Sequence, residues 1–263
     1  MSARGSLVSA FEQPVVALVN DASRGIGLAI ARELLADPDV ECVVATARNA
    51  TASSALSAAG SSVSARLVAI DMDVAEEQSV AAAARALAAE TGRVDLVIHC
   101  AGMLHDDGAG IAPERRLADV DPVKIARSFA INATGPLLVA KHVAPLLPRH
   151  GRAVFASLSA RVGSIGDNRL GGWYGYRASK AAQNMFTRTL SIELKRRIRG
   201  IVCVALHPGT VDTDLSRPFQ GAVPQGTLFP VDRAARQLLE VIDGLGPADN
   251  GGFFAYDGQP IPW

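Results

Sequence analysis

The chain has 263 residues, 49% of them hydrophobic and 20% charged, with 26 Lys plus Arg against 26 Asp plus Glu and a formal net charge of zero. At roughly 150 residues per domain that length favours one large domain over two, and the apolar content excludes a disordered chain. The balanced charge provides no field to hold nucleic acid or an anionic membrane, so neither is expected as a partner.

The opening MSARGSLVSAFEQ carries one Arg and too short an apolar stretch for a secretory signal, and no later run approaches roughly 18 apolar residues. Short apolar runs then alternate with longer stretches of helical period. PVVALVN (14–20) is predicted as a strand, followed by the turn NDASRGIG (20–27) and a helix over 25–36. ECVVATA (41–47) is the second strand, the Ala, Ser and Gly cluster at 49–64 reads as a loop, and ARLVAI (65–70) is the third strand, leading to a helix at 76–91. DLVIHC (95–100) precedes one long helix at 121–147 that Pro145 and Pro148 end. AVFASL (153–158), a helix at 174–198, IVCVAL (201–206), a loop at 213–230, a helix at 231–244 and GFFAY (252–256) complete the series. Seven nearly continuous apolar strands alternating with helices predict a doubly wound, Rossmann-type parallel sheet covered on both faces. No segment is long or polar enough for a linker, so residues 1–263 are expected to form one α/β domain. Cys42, Cys100 and Cys203 have no metal-ligand spacing and lie in apolar runs; they read as reduced thiols of a cytoplasmic protein, and no metal is expected.

Two motifs carry chemistry. In the turn after the first strand, Gly25 and Gly27 would let the backbone approach a pyrophosphate at a helix N-terminus. In GGWYGYRASKAAQNMFTRTLSIEL (171–194), Tyr176 precedes Lys180 by four residues, so both occupy one helix face. A neighbouring ammonium favours the tyrosine anion, which suits Tyr176 to exchange a proton with an alcohol or carbonyl oxygen. An ordinary amphipathic helix would also account for that spacing.

Taken together and in order, these motifs resemble the short-chain dehydrogenases/reductases over essentially the whole chain. SRGIG (23–27) resembles the cofactor turn, MDVAEEQSV (72–80) the adenine-contacting Asp segment and HCAG (99–102) the motif after the fourth strand. Asn132 in NATG, the Tyr176 and Lys180 pair, and PGTVDT (208–213) match the remaining family motifs. SARVGSIGDNRLGGWYGYRASKAA (159–182) and the closing FFAYDGQPIPW are most similar to the sniffer-type carbonyl reductases and C-factor-like proteins. The resemblance implies a proton donor in Tyr176, a Lys180 that lowers its pKa and touches the nicotinamide ribose, and an Asn132 that holds a relay water. It also implies a substrate-orienting Ser. Ser157 and Ser159 point to the same side of the fifth strand, and the later Ser159 is favoured because it sits at the strand mouth. The resemblance further assigns cofactor contacts to Asp21, Ser23, Arg24, Gly25, Ile26, Gly27, Arg48, Asp73, Val74, Cys100, Ala101 and Gly102, to Tyr176 and Lys180, and to Pro208, Gly209, Val211 and Thr213.

Asp21 stands where the family has a glycine, and His99 stands where it has an Asn; His99 reads as a structural strand-end residue. The second strand ends without an acidic residue, while Arg48 and Arg24 suit a 2′-phosphate, so NADP(H) is expected over NAD(H). The leading expectation is an NADP(H)-dependent oxidoreductase acting on a small carbonyl or alcohol substrate, as a homo-oligomer. The alternative is a dinucleotide-binding regulatory or signalling protein of little turnover, motivated by Asp21.

Overall fold

The computed structural model describes residues 5–61, 66–224 and 226–263, with Ala222 described in its backbone alone. The expected start of the third strand at Ala65, the end of the 49–64 loop from residue 62, and Gln225 of the 213–230 loop lie outside the described residues. Seven strands form one parallel sheet: β1 (Val15–Asn20), β2 (Val40–Ala47), β3 (Arg66–Asp71), β4 (Leu96–His99), β5 (Arg152–Leu158), β6 (Gly200–His207) and β9 (Phe253–Ala255). Their order is β3-β2-β1-β4-β5-β6-β9. The chain therefore reverses its direction of winding between β1 and β4, and that switch point is where such sheets bind ligands.

Alternation along the strands builds two cores. Val15, Ala17 and Val19 of β1 share one core with Leu96, Ile98, Val154 and Ala156 and with helices α1 (Gly25–Leu35) and α7 (Val231–Gly244). Val16 and Leu18 face the other way and join Val97, Phe155 and Cys203. That second core is closed by α3 (Glu77–Thr91), α5 (Gly135–Val143) and α6 (Tyr174–Lys195). Asn20, His99 and Ser157 continue the second series at the ends of three adjacent strands, in register with one another.

Three expectations are corrected. Part of the 49–64 loop is a helix, α2 (Ser54–Gly60), because the Ser53 side chain accepts from Leu56 N at 3.3 Å and Leu56 is buried against the first core. The single helix expected over 121–147 is broken: α4 (Pro122–Phe129) passes into a π-helical turn at Ala130–Thr134 before α5 begins. A π turn inserts a residue into the helix and redirects side chains, and here it carries Asn132. Within the 213–230 loop, Arg217–Ala222 forms a 3-10 turn and β8 (Leu228–Phe229) pairs with β7 (Thr210–Val211).

Candidate active site and dinucleotide cleft

The chain leaves β1 at Asn20, turns back through Asp21 at φ 55° and Gly25 at φ 55°, and enters α1 at once. Asp tolerates this left-handed backbone better than most residues, so Asp21 fills the conformational role of a glycine. Gly27 has no such substitute: an ideal Cβ there would overlap the carbonyl group of Asp21, 2.9 Å from its carbon. That close approach aims the first-turn N–H groups of an 11-residue helix into the cleft.

Two adjoining cavities of about 310 and 300 Å³ run along this end of the sheet and share Asp21, Arg24, Gly102, Asp214 and Leu215. The first is also lined by Arg48, Asp73, Val74 and Ala101, the second by Gly25, Ile26, Gly27, Cys100 and Thr213. Arg24 pairs with Asp214 at 3.1 Å with both side chains half exposed. Arg48 is exposed and, among the described residues, makes no ion pair. Burial pushes the Asp21 carboxyl above its ordinary range, with Arg24 and then Arg48 opposing the shift. The Asp73 carboxylate fixes its own turn by accepting from Ala75 N at 2.9 Å. Ser23 lies within the glycine turn. Pro208, Gly209 and Val211 line neither cavity; Gly209, at φ 80°, leaves room for the Phe229 ring, and Val211 is buried in β7.

Two of the side chains expected to be catalytic, Lys180 and Asn132, meet beside Gly102. A Cβ on Gly102 would lie 3.5 Å from Lys180 Nζ and 3.7 Å from Asn132 Oδ1. Asn132 is fixed on all sides: its Oδ1 accepts from Met103 N at 2.7 Å, and its Nδ2 donates to Met103 O at 2.8 Å and to Ser179 Oγ at 3.0 Å. The Lys180 ammonium stands 5.9 Å from the centre of the Tyr176 ring and donates to Leu158 O and Gln183 Oε1, each at 2.9 Å. Burial pushes Lys180 down to about 7 and pushes the Tyr176 phenol up, which keeps it protonated. Trp173, Phe219 and His105 roof this centre. Trp173 meets the Tyr176 ring edge-on at 6.2 Å and Phe219 at 5.3 Å, and Phe219 meets His105 at 5.9 Å.

The structure thus brings Tyr176, Lys180 and Asn132 together and places the expected glycine turn against them. It does not direct Ser159 toward them. The Ser159 hydroxyl donates to Asn184 Oδ1 at 2.6 Å, one helical turn past Lys180, and Ser157 Oγ accepts from Gln183 Nε2. Phe229 belongs with Val211 and Tyr256 in a small core of its own, not with the roof. Sequence reading missed Gln183 and Asp214. Gln183 was accessible from helical spacing, three residues after Lys180 on the buried face, whereas only the folded chain brings Asp214 to Arg24.

Comparison with known proteins agrees with this geometry. The family model described as short chain dehydrogenase matches residues 15–222. The chain belongs to the short-chain dehydrogenase family. The C-signal protein of Myxococcus xanthus is 43% identical over 173 residues, covering 66% of this chain and 95% of that protein. The NADPH-bound carbonyl reductase from chicken fatty liver superposes with a TM-score of 0.83 at 30% identity over 100% of both chains. The Sniffer carbonyl reductase of Drosophila melanogaster gives 0.81 at 26% identity, covering 96% of this chain and 100% of that one. These likenesses group the chain with the sniffer and C-factor-like branch.

Proposed function

We propose that the protein is an NADP(H)-dependent carbonyl reductase or alcohol dehydrogenase. The observation that carries this reading is that Lys180 and Asn132 meet beside Gly102, which lines both cavities of the cleft, with the centre of the Tyr176 ring 5.9 Å from the Lys180 ammonium. The NADPH bound in the chicken carbonyl reductase supports the cofactor assignment. When bound, the cofactor would supply hydride to the carbonyl carbon.

The residues present fit such a dinucleotide. Ser23, Arg24, Gly25, Ile26 and Gly27 would hold the pyrophosphate at the N-terminus of α1, with Asp21 shaping the turn beside it, and Arg48 with Arg24 would take a 2′-phosphate. Asp73 and Val74 would border the adenine. Cys100, Ala101 and Gly102 would floor the nicotinamide half, with Pro208, Gly209, Val211 and Thr213 along its other side. Tyr176 holds its proton at the phenolic oxygen and would deliver it there to the developing alkoxide. Lys180, one turn along, would bond the ribose and stabilise the tyrosinate that remains. Asn132, locked by Met103 and Ser179, would order a relay water. The roof of Trp173 and Phe219 favours an apolar substrate and excludes water from the reacting centre.

Three unpaired thiols suit a reducing, cytoplasmic setting. Met185 and Ile192, seven residues apart on α6 and 63% and 50% exposed, offer an apolar face for a homo-oligomer. Tyr176→Phe tests the proposal: it is expected to remove nearly all NADPH oxidation by a panel of aldehydes and ketones while leaving NADPH affinity within a few-fold. Comparable turnover by the variant refutes it. A second reading, a dinucleotide-binding signalling protein, is favoured by the likeness to C-signal. It would show NADPH binding without turnover across the panel.

A further inference from the structure

We propose that Gln183 and His99 are positioning residues for Lys180, members of one buried row of hydrogen bonds that crosses the sheet from Thr46 to the ammonium. The inference rests on the reading that Lys180 works with Tyr176. It adds the groups that aim Lys180 before any ligand arrives.

The row follows from register and from donor and acceptor counting. Thr46, Asn20, His99 and Ser157 lie at the last or next-to-last position of four adjacent strands as successive register partners, and all four are at most 2% exposed. Gln183, fully buried on α6, sits over Ser157 and links it to Lys180. The orientation of the Gln183 amide is fixed by chemistry: the ammonium cannot accept and Leu158 O cannot donate, so Oε1 must face Lys180 while Nε2 faces Leu158 O at 3.2 Å and Ser157 Oγ. Ser157 Oγ, having accepted, keeps its own proton to donate onward. Its neighbour across the strand pair is His99, whose two ring nitrogens have no partner among the described residues, and beyond His99 the Asn20 Oδ1 is likewise unpartnered. Asn20 Nδ2 already donates to Thr46 Oγ1 at 3.2 Å.

A neutral imidazole offers one acceptor and one donor, which are the two groups missing from the row. Ser157 donates into one ring nitrogen and the other ring N–H donates to Asn20 Oδ1. Each link then runs in one direction, Lys180 to Gln183 to Ser157 to His99 to Asn20 to Thr46, with no donor facing a donor. Buried polar groups are rarely left without partners, and small side-chain rotations complete these two. A protonated ring would break the sequence and set a second cation beside Lys180. Consistently, burial, and after it the charge of Lys180, pushes His99 down to about 3. The ammonium has three donors, and Leu158 O and Gln183 Oε1 take two. One N–H is left to face Gly102 and the cleft. The other titratable groups around Lys180 among the described residues are Tyr176 on its own helix and Cys100 just past the end of β4, with Asp21 facing Cys100.

The test combines ring-nitrogen NMR of the wild type with the pH dependence of two variants. His99, assigned through the backbone, is expected to be a single neutral tautomer with a slowly exchanging ring N–H from pH 5 to 8. Activity requires the ammonium, so the alkaline limb of the kcat profile reports Lys180. Gln183→Leu removes an acceptor that favours the charged form and should move that limb down by about one to two pH units. Gln183→Glu places an anion there and should move it up. A merely structural role would lower kcat without opposite shifts. Limbs that move together or stay fixed, or a His99 that titrates between pH 5 and 8, overturn the row. If wild-type protein turns over no carbonyl, the enzyme reading fails, and the row is judged on the His99 ring, a measurement that also needs no variant to fold.

Discussion

Asp21→Gly is expected to tighten NADPH binding. The native carboxyl sits in a left-handed turn, lines both cavities and is held above its ordinary pKa by burial, against the pull of Arg24 and Arg48. A phosphate within about 6 Å would repel it by about 0.7–3 kcal/mol per charge pair at an effective dielectric of 80 to 20. The glycine keeps the turn and removes the charge, so affinity should rise roughly 3- to 100-fold, with the gain shrinking as salt screens the pair. The pH dependence has a definite sign. A bound phosphate raises the Asp21 pKa further, so the complex takes up a proton and wild-type affinity climbs as pH falls toward the carboxyl's titration. Asp21→Gly should lose that climb. Burial also disfavours the charged carboxyl in the fold, so its penalty on stability is present above the raised folded pKa and vanishes below the ordinary one. Titration with NADPH at low and high salt and across pH 4 to 8 measures each effect. Weaker binding by the variant would show that Asp21 serves the cofactor through a hydrogen bond, and would refute the electrostatic account.

Arg48→Ala should weaken NADPH binding roughly 10- to 100-fold, the loss of about 1.5–3 kcal/mol for a charged phosphate bond, and leave NADH nearly untouched; equal wild-type dissociation constants for the two cofactors would contradict it. Arg24→Ala should cost less, because Asp214 already occupies that guanidinium. Gly27→Ala drives a Cβ into the Asp21 carbonyl group and should abolish measurable cofactor binding and lower the melting temperature, with calorimetry as the check.

Much of this was legible in the sequence, for physical reasons. Strands buried on both faces read as unbroken apolar runs, so the seven parallel strands and the helices α1, α3, α6 and α7 were visible in the residues alone. The break at Ala130–Thr134 was not, since a π turn leaves helical periodicity almost intact, and the bonds between Asn132 and Met103 that accompany it join residues 29 apart. α2 was hidden by a composition of Ala, Ser and Gly that suits a loop as well as a short helix held by one buried Leu56. Tyr176 and Lys180 were legible because one helix carries both. The His99 to Gln183 link was not, because strand register and helix docking together create it.

Ser159 shows where alternation along a strand stops being informative. Ser157 and Ser159 do face the same side, as period two requires, but what each hydroxyl does is decided by α6, which presents Gln183 to one and Asn184 to the other. A serine that orients a carbonyl oxygen must donate its proton to it, and the Ser159 proton is already given to Asn184 Oδ1 at 2.6 Å. Asn184 Nδ2 has no partner among the described residues, so Ser159→Ala would leave a buried amide unsatisfied at both ends. The expected outcome is a stability loss of about 1–3 kcal/mol with kcat reduced less than about tenfold, because in the proposed mechanism the substrate oxygen depends on Tyr176. Removing a donor that stabilises the reacting oxygen directly costs about 10²–10³ in kcat. Thermal melts beside steady-state kinetics separate the two, and a kcat loss above about 100-fold with an unchanged melting temperature would return Ser159 to the reacting centre.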